Sequence, residues 1–111
     1  MRHGSTKHDV FQAIADPTRR ELLSLLAEKE MPVTAISSCF SISRTAVSKH
    51  LRILEEAGLL TESRVGRETR YKLRPDGLKE LKQWLSYYER FWDDKLAALK
   101  CFVENDGEHP Q

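Results

Sequence analysis

Cysteine and long hydrophobic runs are scarce in this sequence, and each scarcity excludes a class of protein. Cys39 and Cys101 are the only cysteines in 111 residues, too few for a disulfide framework, so a reducing, cytoplasmic setting is expected. No apolar run approaches the ~20 residues that a membrane-spanning helix needs, so no membrane partner is expected. With 40% hydrophobic and 32% charged residues, the composition is typical of one globular domain and not of a disordered chain.

Motifs of catalysis and metal binding are also missing. The sequence has no glycine-rich phosphate loop and no nucleophile elbow. The acid pairs Glu55-Glu56 and Asp93-Asp94 are each adjacent on a predicted helix, so neither pair can converge on one bond. Residues 76–104 contain no histidine. We therefore expect no catalytic residue, no cofactor and no bound metal.

Positive charge is concentrated in one segment. Residues 44–74 carry eight basic and four acidic side chains, whereas residues 1–43 carry five of each. Residues 75–111 carry five basic and eight acidic side chains. A cationic segment inside a nearly neutral chain is typical of a surface that binds a polyanion.

Three short helices are predicted before this segment. The apolar spacing of Asp9–Ala15 predicts the first, and Asp16-Pro17 is a typical start for the second, which runs to about Lys29. A third helix is predicted over Pro32–Phe40.

A fourth helix is predicted from the N-cap Ser43 to Ala57, with Gly58 as its stop. Its apolar face, which includes His50, points inward. Its outward face is basic and hydrogen-bonding, and consists of Arg44, Thr45, Ser48, Lys49 and Arg52.

A β-hairpin and a long helix complete the predicted fold. Leu59–Arg64 and Thr69–Leu73 alternate like strands around Gly66, which predicts a hairpin. The last helix is predicted from Asp76 to about Glu104, with a broad apolar and aromatic stripe. The expected fold class is mainly α with a small β-hairpin wing, a winged helix-turn-helix.

The predicted organisation has four parts. Residues 1–8 form a flexible N-terminus, 9–75 the winged helix-turn-helix domain, 76–104 a dimerisation helix and 105–111 a disordered tail. An apolar arc as wide as that of the last helix needs a partner, so we expect a homodimer through the first and last helices. The predicted interface residues are Val10, Phe11, Ile14, Leu81, Leu85, Tyr88, Trp92, Leu96 and Leu99.

Double-stranded DNA is the expected polyanion. A helix fits the major groove, and a hairpin can place cations on a neighbouring phosphate run. The predicted DNA-binding residues are Ser43, Arg44, Thr45, Ser48, Lys49, Arg52, Arg64, Arg67 and Arg70. Arg19 and Arg20 are read as surface charges that could also meet phosphate.

Several blocks of the sequence resemble the ArsR/SmtB family of winged-helix repressors. These blocks are Phe11–Arg20, Ser43–Leu51, Leu54–Leu59 and Gly66–Tyr71. The resemblance implies a dimeric repressor that places one recognition helix per subunit on an inverted-repeat operator. Trp84–Leu96 resembles a branch associated with START-like proteins.

The sequence departs from that family in three places. Ser41 stands where relatives have glycine in the turn. Pro32 and Thr34 stand where metal sensors carry a Cys-x-Cys pair, and the last helix lacks the histidine ligands of other members. These departures imply a branch that senses no metal. A winged-helix docking module without DNA binding, an RNA-binding protein, and a metal- or redox-responsive repressor with other ligands stay open as alternatives; the small-molecule effector is unknown.

Overall fold

The computed structural model describes the backbone of residues 9–108 and the side chains of residues 9–104. The predicted flexible N-terminus, residues 1–8, lies outside this range. The chain folds as two compact units that meet between Glu80 and Leu81. Its elements are helices α1 (Val10–Ala13), α2 (Pro17–Glu28), α3 (Val33–Ser38), α4 (Arg44–Glu56) and α5 (Lys79–Glu108), strands β1 (Met31–Pro32), β2 (Leu60–Val65) and β3 (Glu68–Leu73), and a 3-10 turn over Pro75–Leu78.

Three of the helices begin at a side-chain cap. The carboxylate of Asp9 accepts a hydrogen bond from Phe11 N at 2.7 Å, and that of Asp16 accepts one from Arg19 N at 3.0 Å. Ser43 Oγ accepts a hydrogen bond from Ala46 N at 3.1 Å at the start of α4. Each cap satisfies a backbone donor that the first turn of a helix leaves unpaired, and the predicted starts at Asp16 and Ser43 are confirmed.

Helix α4 ends just before Gly58, as predicted. Gly58 has φ +83°, a left-handed conformation that glycine adopts without a steric penalty. Leu59 N donates to Leu54 O at 3.0 Å, and Gly58 N donates to Glu55 O at 2.9 Å. This pair of bonds is a Schellman motif, and it turns the chain directly into β2.

The sheet has one strand that the sequence analysis missed. Strand order is β1-β3-β2 and all pairing is antiparallel. In β1, Met31 pairs with Tyr71 and Pro32 pairs with Arg70. The predicted third helix was therefore wrong at its start: Pro32 lies in a strand, and α3 begins at Val33.

The predicted hairpin is confirmed. Val65 pairs with Glu68, so the loop consists of Gly66 and Arg67. Gly66 has φ +62°, and no non-glycine residue in the described range has a positive φ. A positive φ at the first loop position alone is the pattern of a type II′ turn, whose twist matches that of the two strands.

The core of the first unit lies beneath α4. Val47, Leu51 and Leu54 on α4 are each 0% exposed, as are Leu22 on α2 and Ile36 on α3. Leu59, Leu60 and Tyr71 close the core from the sheet side. Each large side chain buried here stabilises the fold by about 1.5–3 kcal/mol, which fixes α4 with its polar face outward.

The last helix differs from the prediction at both ends. Residues 75–78 form a 3-10 turn, and α5 continues to Glu108. Residues 105–108, which were predicted to belong to a disordered tail, continue α5 in the structure, while 109–111 lie outside the described range. Polar residues propagate an existing helix at little cost, since each one added forms a hydrogen bond. No helix within the described residues combines the length and hydropathy needed to cross a bilayer.

Ser43→Ala tests the cap of α4. The substitution removes the acceptor for Ala46 N, so the free energy of unfolding should fall by about 1 kcal/mol in urea titrations. Ser43→Asp keeps an acceptor and should stay close to wild type. Ser41→Ala, at an exposed residue of the same turn, is the control and should change stability by less than about 0.5 kcal/mol. Equal losses for Ser41→Ala and Ser43→Ala would contradict the cap.

Candidate nucleic-acid interface

The turn between α3 and α4 sets the angle of the two helices. Cys39 N donates to Ile36 O at 3.0 Å and Phe40 N donates to Ser37 O at 3.2 Å, so α3 ends in a tight turn. Ser41, where the family has glycine, does not have a positive φ. The turn is therefore built without a left-handed residue.

Helix α4 presents the predicted polar face to solvent. Arg44, Thr45, Lys49 and Arg52 are exposed, and Ser48 is half-buried. Ser43 is exposed as well, but its hydroxyl is engaged in the cap of the helix. Four cationic or hydroxyl side chains of this helix thus point away from the core that fixes it.

A polar groove of about 300 Å³ lies between α4 and the hairpin. Arg44, Ser48 and Arg52 line it from α4, and Arg67 lines it from the hairpin turn. Thr34 on α3 and Thr69 on β3 add hydroxyl groups. The groove therefore brings four of the predicted DNA-binding residues together, while Thr45, Lys49 and Arg64 lie outside it.

Two carboxylates and a tyrosine form the sheet side of this groove. Glu62, Glu68 and Tyr71 line it from β2 and β3. Burial, together with the negative charges of Glu62 and Glu55, raises the pKa of Tyr71 to about 12. The tyrosine hydroxyl is consequently neutral at physiological pH and keeps its proton as a hydrogen-bond donor.

Arg70, a predicted DNA-binding residue, is already paired within the protein. Its Nε donates to Glu30 Oε2 at 2.9 Å, and one of its terminal nitrogens donates to Glu68 Oε1 at 2.8 Å. Both hydrogen bonds raise the pKa of the guanidinium, and the bond to Glu68 has the larger effect. Arg70 thus joins β3 to the residue that precedes β1, which braces the base of the hairpin.

Arg19 and Arg20 both bond to the end of α1, but Arg19 is half-buried, whereas Arg20 remains an exposed surface charge. Arg19 Nε donates to Ala13 O at 2.7 Å, and Arg20 donates to Ile14 O at 2.8 Å. Both carbonyls lie at the end of α1, where no further helical turn supplies donors. Asp16 is part of this corner, because the hydrogen bond from the backbone N–H of Arg19 lowers the pKa of its carboxyl group.

Cys39 and His50 are both more accessible than core residues. Cys39 is exposed, because α3 ends at Ser38 and the chain turns there. His50 is half-buried rather than fully packed, and its Nδ1 lies 3.2 Å from a terminal nitrogen of Arg19. Within residues 9–104, no three His, Cys, Asp or Glu side chains are grouped so as to hold a metal ion.

The predicted dimer residues are mostly, but not all, exposed. Val10 is 6% exposed, so the prediction that it lies at an interface is wrong: it packs in the core of its own unit. Phe11 and Ile14 on α1, and Leu81 on α5, are half-buried. The remaining predicted residues, all on α5, are exposed, namely Leu85, Tyr88, Trp92, Leu96 and Leu99.

Helix α5 carries further apolar surface beside these residues. Trp84, Phe91, Phe102 and Val103 are exposed. Trp84 and Tyr88 meet edge to face with ring centroids 5.1 Å apart, and Tyr88 lies 6.1 Å from Phe91. An apolar groove on this stretch of helix is bounded at one end by Lys95.

The fold and sequence resemble known DNA-binding regulators. The family described as "Helix-turn-helix domain" matches residues 14–63. The HTH-type transcriptional regulator Rv2034 of Mycobacterium tuberculosis is 34% identical over 98 residues, covering 88% of this chain and 89% of that protein. The transcriptional repressor SdpR of Bacillus subtilis is 35% identical over 89 residues, covering 80% of this chain and 99% of that protein.

Solved structures of similar fold and sequence are also those of transcriptional regulators. A crystal structure of a possible transcriptional regulator for arsenical resistance has a TM-score of 0.67 and 40% identity, over 85% of this chain and 95% of that one. The chain belongs to the ArsR/SmtB family. A second match is the homodimeric winged helix-turn-helix domain of an ArsR-family regulator from Mycobacterium bovis, solved by NMR. Its TM-score is 0.60 and its identity 29%, over 72% of this chain and 77% of that one.

Membership in the ArsR/SmtB family assigns the class of function. This ArsR-family protein is a DNA-binding transcriptional regulator, and the family is one of regulators rather than enzymes. Helices α3 and α4 are its helix-turn-helix, and β2 and β3 form its wing. The resemblance of Trp84–Leu96 to a START-associated branch stays a prediction.

Arg70→Gln tests the brace at the base of the wing. The substitution leaves Glu30 and Glu68 without their shared cation, so the pairing of β1 with β3 should loosen. Amide hydrogen exchange at Met31 and Tyr71, which pair across these two strands, should accelerate. Arg64→Gln removes the same charge from an exposed position of β2 and is the control. Unchanged exchange in Arg70→Gln would show that the ion pairs do not hold the strands.

Proposed function

We propose that this chain represses transcription as a homodimer on an inverted-repeat operator, with α4 of each subunit in the major groove of B-DNA. The observation that carries the proposal is the groove in which Arg44, Ser48 and Arg52 of α4 face Arg67 of the wing. A DNA strand running between the helix and the wing would meet Arg44 and Arg52 on one side and Arg67 on the other, although the sheet side also carries the carboxylates of Glu62 and Glu68. Named repressors among the relatives support repression as the outcome.

Each contact follows from its place on α4 or the wing. Arg44 is exposed at the first turn of α4, where its guanidinium can donate two hydrogen bonds to the major-groove edge of guanine. Thr45, Ser48 and Lys49 fit phosphate oxygens, which position the helix without reading sequence. Arg52, Arg64 and Arg67 extend the cationic surface along the backbone.

Arg70 and Ser43 take other roles in this proposal. The guanidinium of Arg70 is bonded to two carboxylates, so moving it onto DNA would break two ion pairs to make one. The hydroxyl of Ser43 caps α4. Both residues support the interface rather than touch the operator. No metal is assigned to it, because Pro32 and Thr34 have no metal-ligating side chains.

Substitutions at Arg44 and Lys49 separate base reading from phosphate binding. The probe is a duplex selected by the wild-type protein from a randomised pool. Arg44→Ala should weaken its binding by ~1–3 kcal/mol and relax the preference at one base pair. Lys49→Ala should weaken binding to all duplexes and lower the slope of log affinity against log salt by about one.

The control for this experiment is Lys100→Ala, which removes an exposed charge from α5. It should leave both affinity and salt slope unchanged. A wild-type protein with no duplex affinity at low salt would overturn the proposal and favour a protein-docking module.

The exposed apolar surface of α5 supports the homodimer. Trp92 is 66% exposed, Leu96 59% and Leu99 58%. Contiguous apolar surface of this kind marks an interaction site, and each large side chain covered by a partner would contribute about 1.5–3 kcal/mol. Phe11 and Ile14 on α1 add a second, half-buried patch. A two-fold pairing would place two recognition helices about 34 Å apart, one turn of B-DNA.

Trp92→Asp tests the dimer. A buried carboxylate is costly, so the variant should sediment as a monomer and lose affinity for the selected duplex, although Trp92 touches no DNA. Gln83→Asp, which introduces the same charge elsewhere on α5, is the control and should remain dimeric. A wild-type protein that sediments as a folded monomer at micromolar concentration would rule the dimer out.

A further inference from the structure

Arg19 joins three helices at one guanidinium. Its Nε donates to Ala13 O at 2.7 Å and one terminal nitrogen donates to Gln12 O at 3.3 Å, both at the end of α1. Its other terminal nitrogen lies 3.2 Å from His50 Nδ1 on α4. Arg19 itself lies in the first turn of α2, held by the bond from its backbone N–H to Asp16.

The contact with His50 fixes the chemistry of both partners. A guanidinium is always protonated and carries only donors. A hydrogen bond at this contact therefore requires Nδ1 of His50 to accept, with the ring proton on Nε2. The contact also constrains geometry, because the other two nitrogens of the planar guanidinium each donate to a carbonyl of α1.

The neighbouring Arg20 makes a different set of bonds. It donates to Ile14 O at 2.8 Å and so also caps α1, but the structure gives it no bond to α4. The two adjacent arginines thus share a role at α1, and Arg19 alone of the two reaches the recognition helix.

We propose that Arg19 is a positioning residue for the recognition helix, acting through His50. Its guanidinium sets the rotation of α4 against α1 and α2, and with it the angle at which Arg44 and Ser48 meet the major groove. Burial of Val47, Leu51 and Leu54 holds α4 in place, but apolar contacts are non-directional. A hydrogen bond to a charged donor is directional, so it sets the finer rotation of α4 within the range that burial of the apolar face permits.

This inference also links the two surfaces of the protein. Helix α1, whose carbonyls Arg19 caps, carries Phe11 and Ile14 of the predicted dimer interface. A shift of α1 on dimerisation would therefore reach α4 through Arg19 as well as through the direct packing of α1 against α4. The inference rests on the proposed docking of α4 on DNA.

Arg19→Gln and Arg20→Gln form a matched pair. Each removes one positive charge and side-chain bonds to the end of α1, two bonds in Arg19→Gln and one in Arg20→Gln, but only Arg19→Gln removes the contact with His50. Affinity for the duplex selected by the wild-type protein should fall about tenfold more for Arg19→Gln than for Arg20→Gln. Thermal melting of each variant shows whether the loss comes from unfolding.

His50 gives an independent test that does not alter α1. His50→Asn keeps an acceptor for Arg19 and should bind the selected duplex nearly as wild type does. His50→Leu fills similar space without an acceptor and should lose affinity like Arg19→Gln. Combining Arg19→Gln with His50→Leu should cost less than the product of the separate losses, because both remove one contact.

Two results would overturn the inference. The first is equal affinity losses for Arg19→Gln and Arg20→Gln, and the second is wild-type affinity in His50→Leu. If Arg19→Gln does not fold, the comparison of His50→Leu with His50→Asn decides alone. Arg44→Ala separates this inference from the proposed function: if it too is without effect, α4 does not contact DNA at all, whereas sensitivity at Arg44 alone refutes only the role of Arg19.

Discussion

The complete burial of one face of α4 is the constraint on which the rest of the structure depends. Val47, Leu51 and Leu54 are each 0% exposed, and their spacing of three and four residues places them on one side of the helix. The opposite side is thereby fixed toward solvent. Arg44, Lys49 and Arg52 point outward because the core leaves α4 no other rotation that buries its apolar face.

Two groups of arginines in this protein have different uses. Arg19, Arg20 and Arg70 donate to carbonyls or carboxylates of the same chain and hold elements together. Arg44 and Arg67 extend from the recognition helix and the wing into a shared groove. Fewer cations are therefore available to DNA than the eight basic residues of 44–74 suggest, because Arg70 is already paired with Glu30 and Glu68.

Local signals predicted the elements that form the interface. Ser43 and Gly58 mark the ends of α4 because capping and left-handed φ are decided by a few neighbouring residues. Gly66 marks the wing turn for the same reason. The apolar periodicity of α4 predicted which side chains face outward, and every basic residue predicted on that face is exposed.

Long-range pairings could not be predicted in the same way. Strand β1 is two residues long, too short for any periodicity, and its pairing partner is β3, about forty residues away. The bonds of Arg70 to Glu30 and of Arg19 to His50 also join distant positions. Val10 shows that interface residues are also hard to predict from sequence. Its apolar side chain suits a dimer surface and a core equally well, and in the structure it is buried in the core of its own unit.

A hydroxyl-radical footprint on the duplex selected by the protein tests the central claim most directly. Two recognition helices from one dimer should protect two equivalent patches about 10 base pairs apart on one face of the DNA. Protection of the flanking backbone by Arg64 and Arg67 of each wing should extend both patches outward. A single protected patch, or two patches on opposite faces of the duplex, would contradict the account.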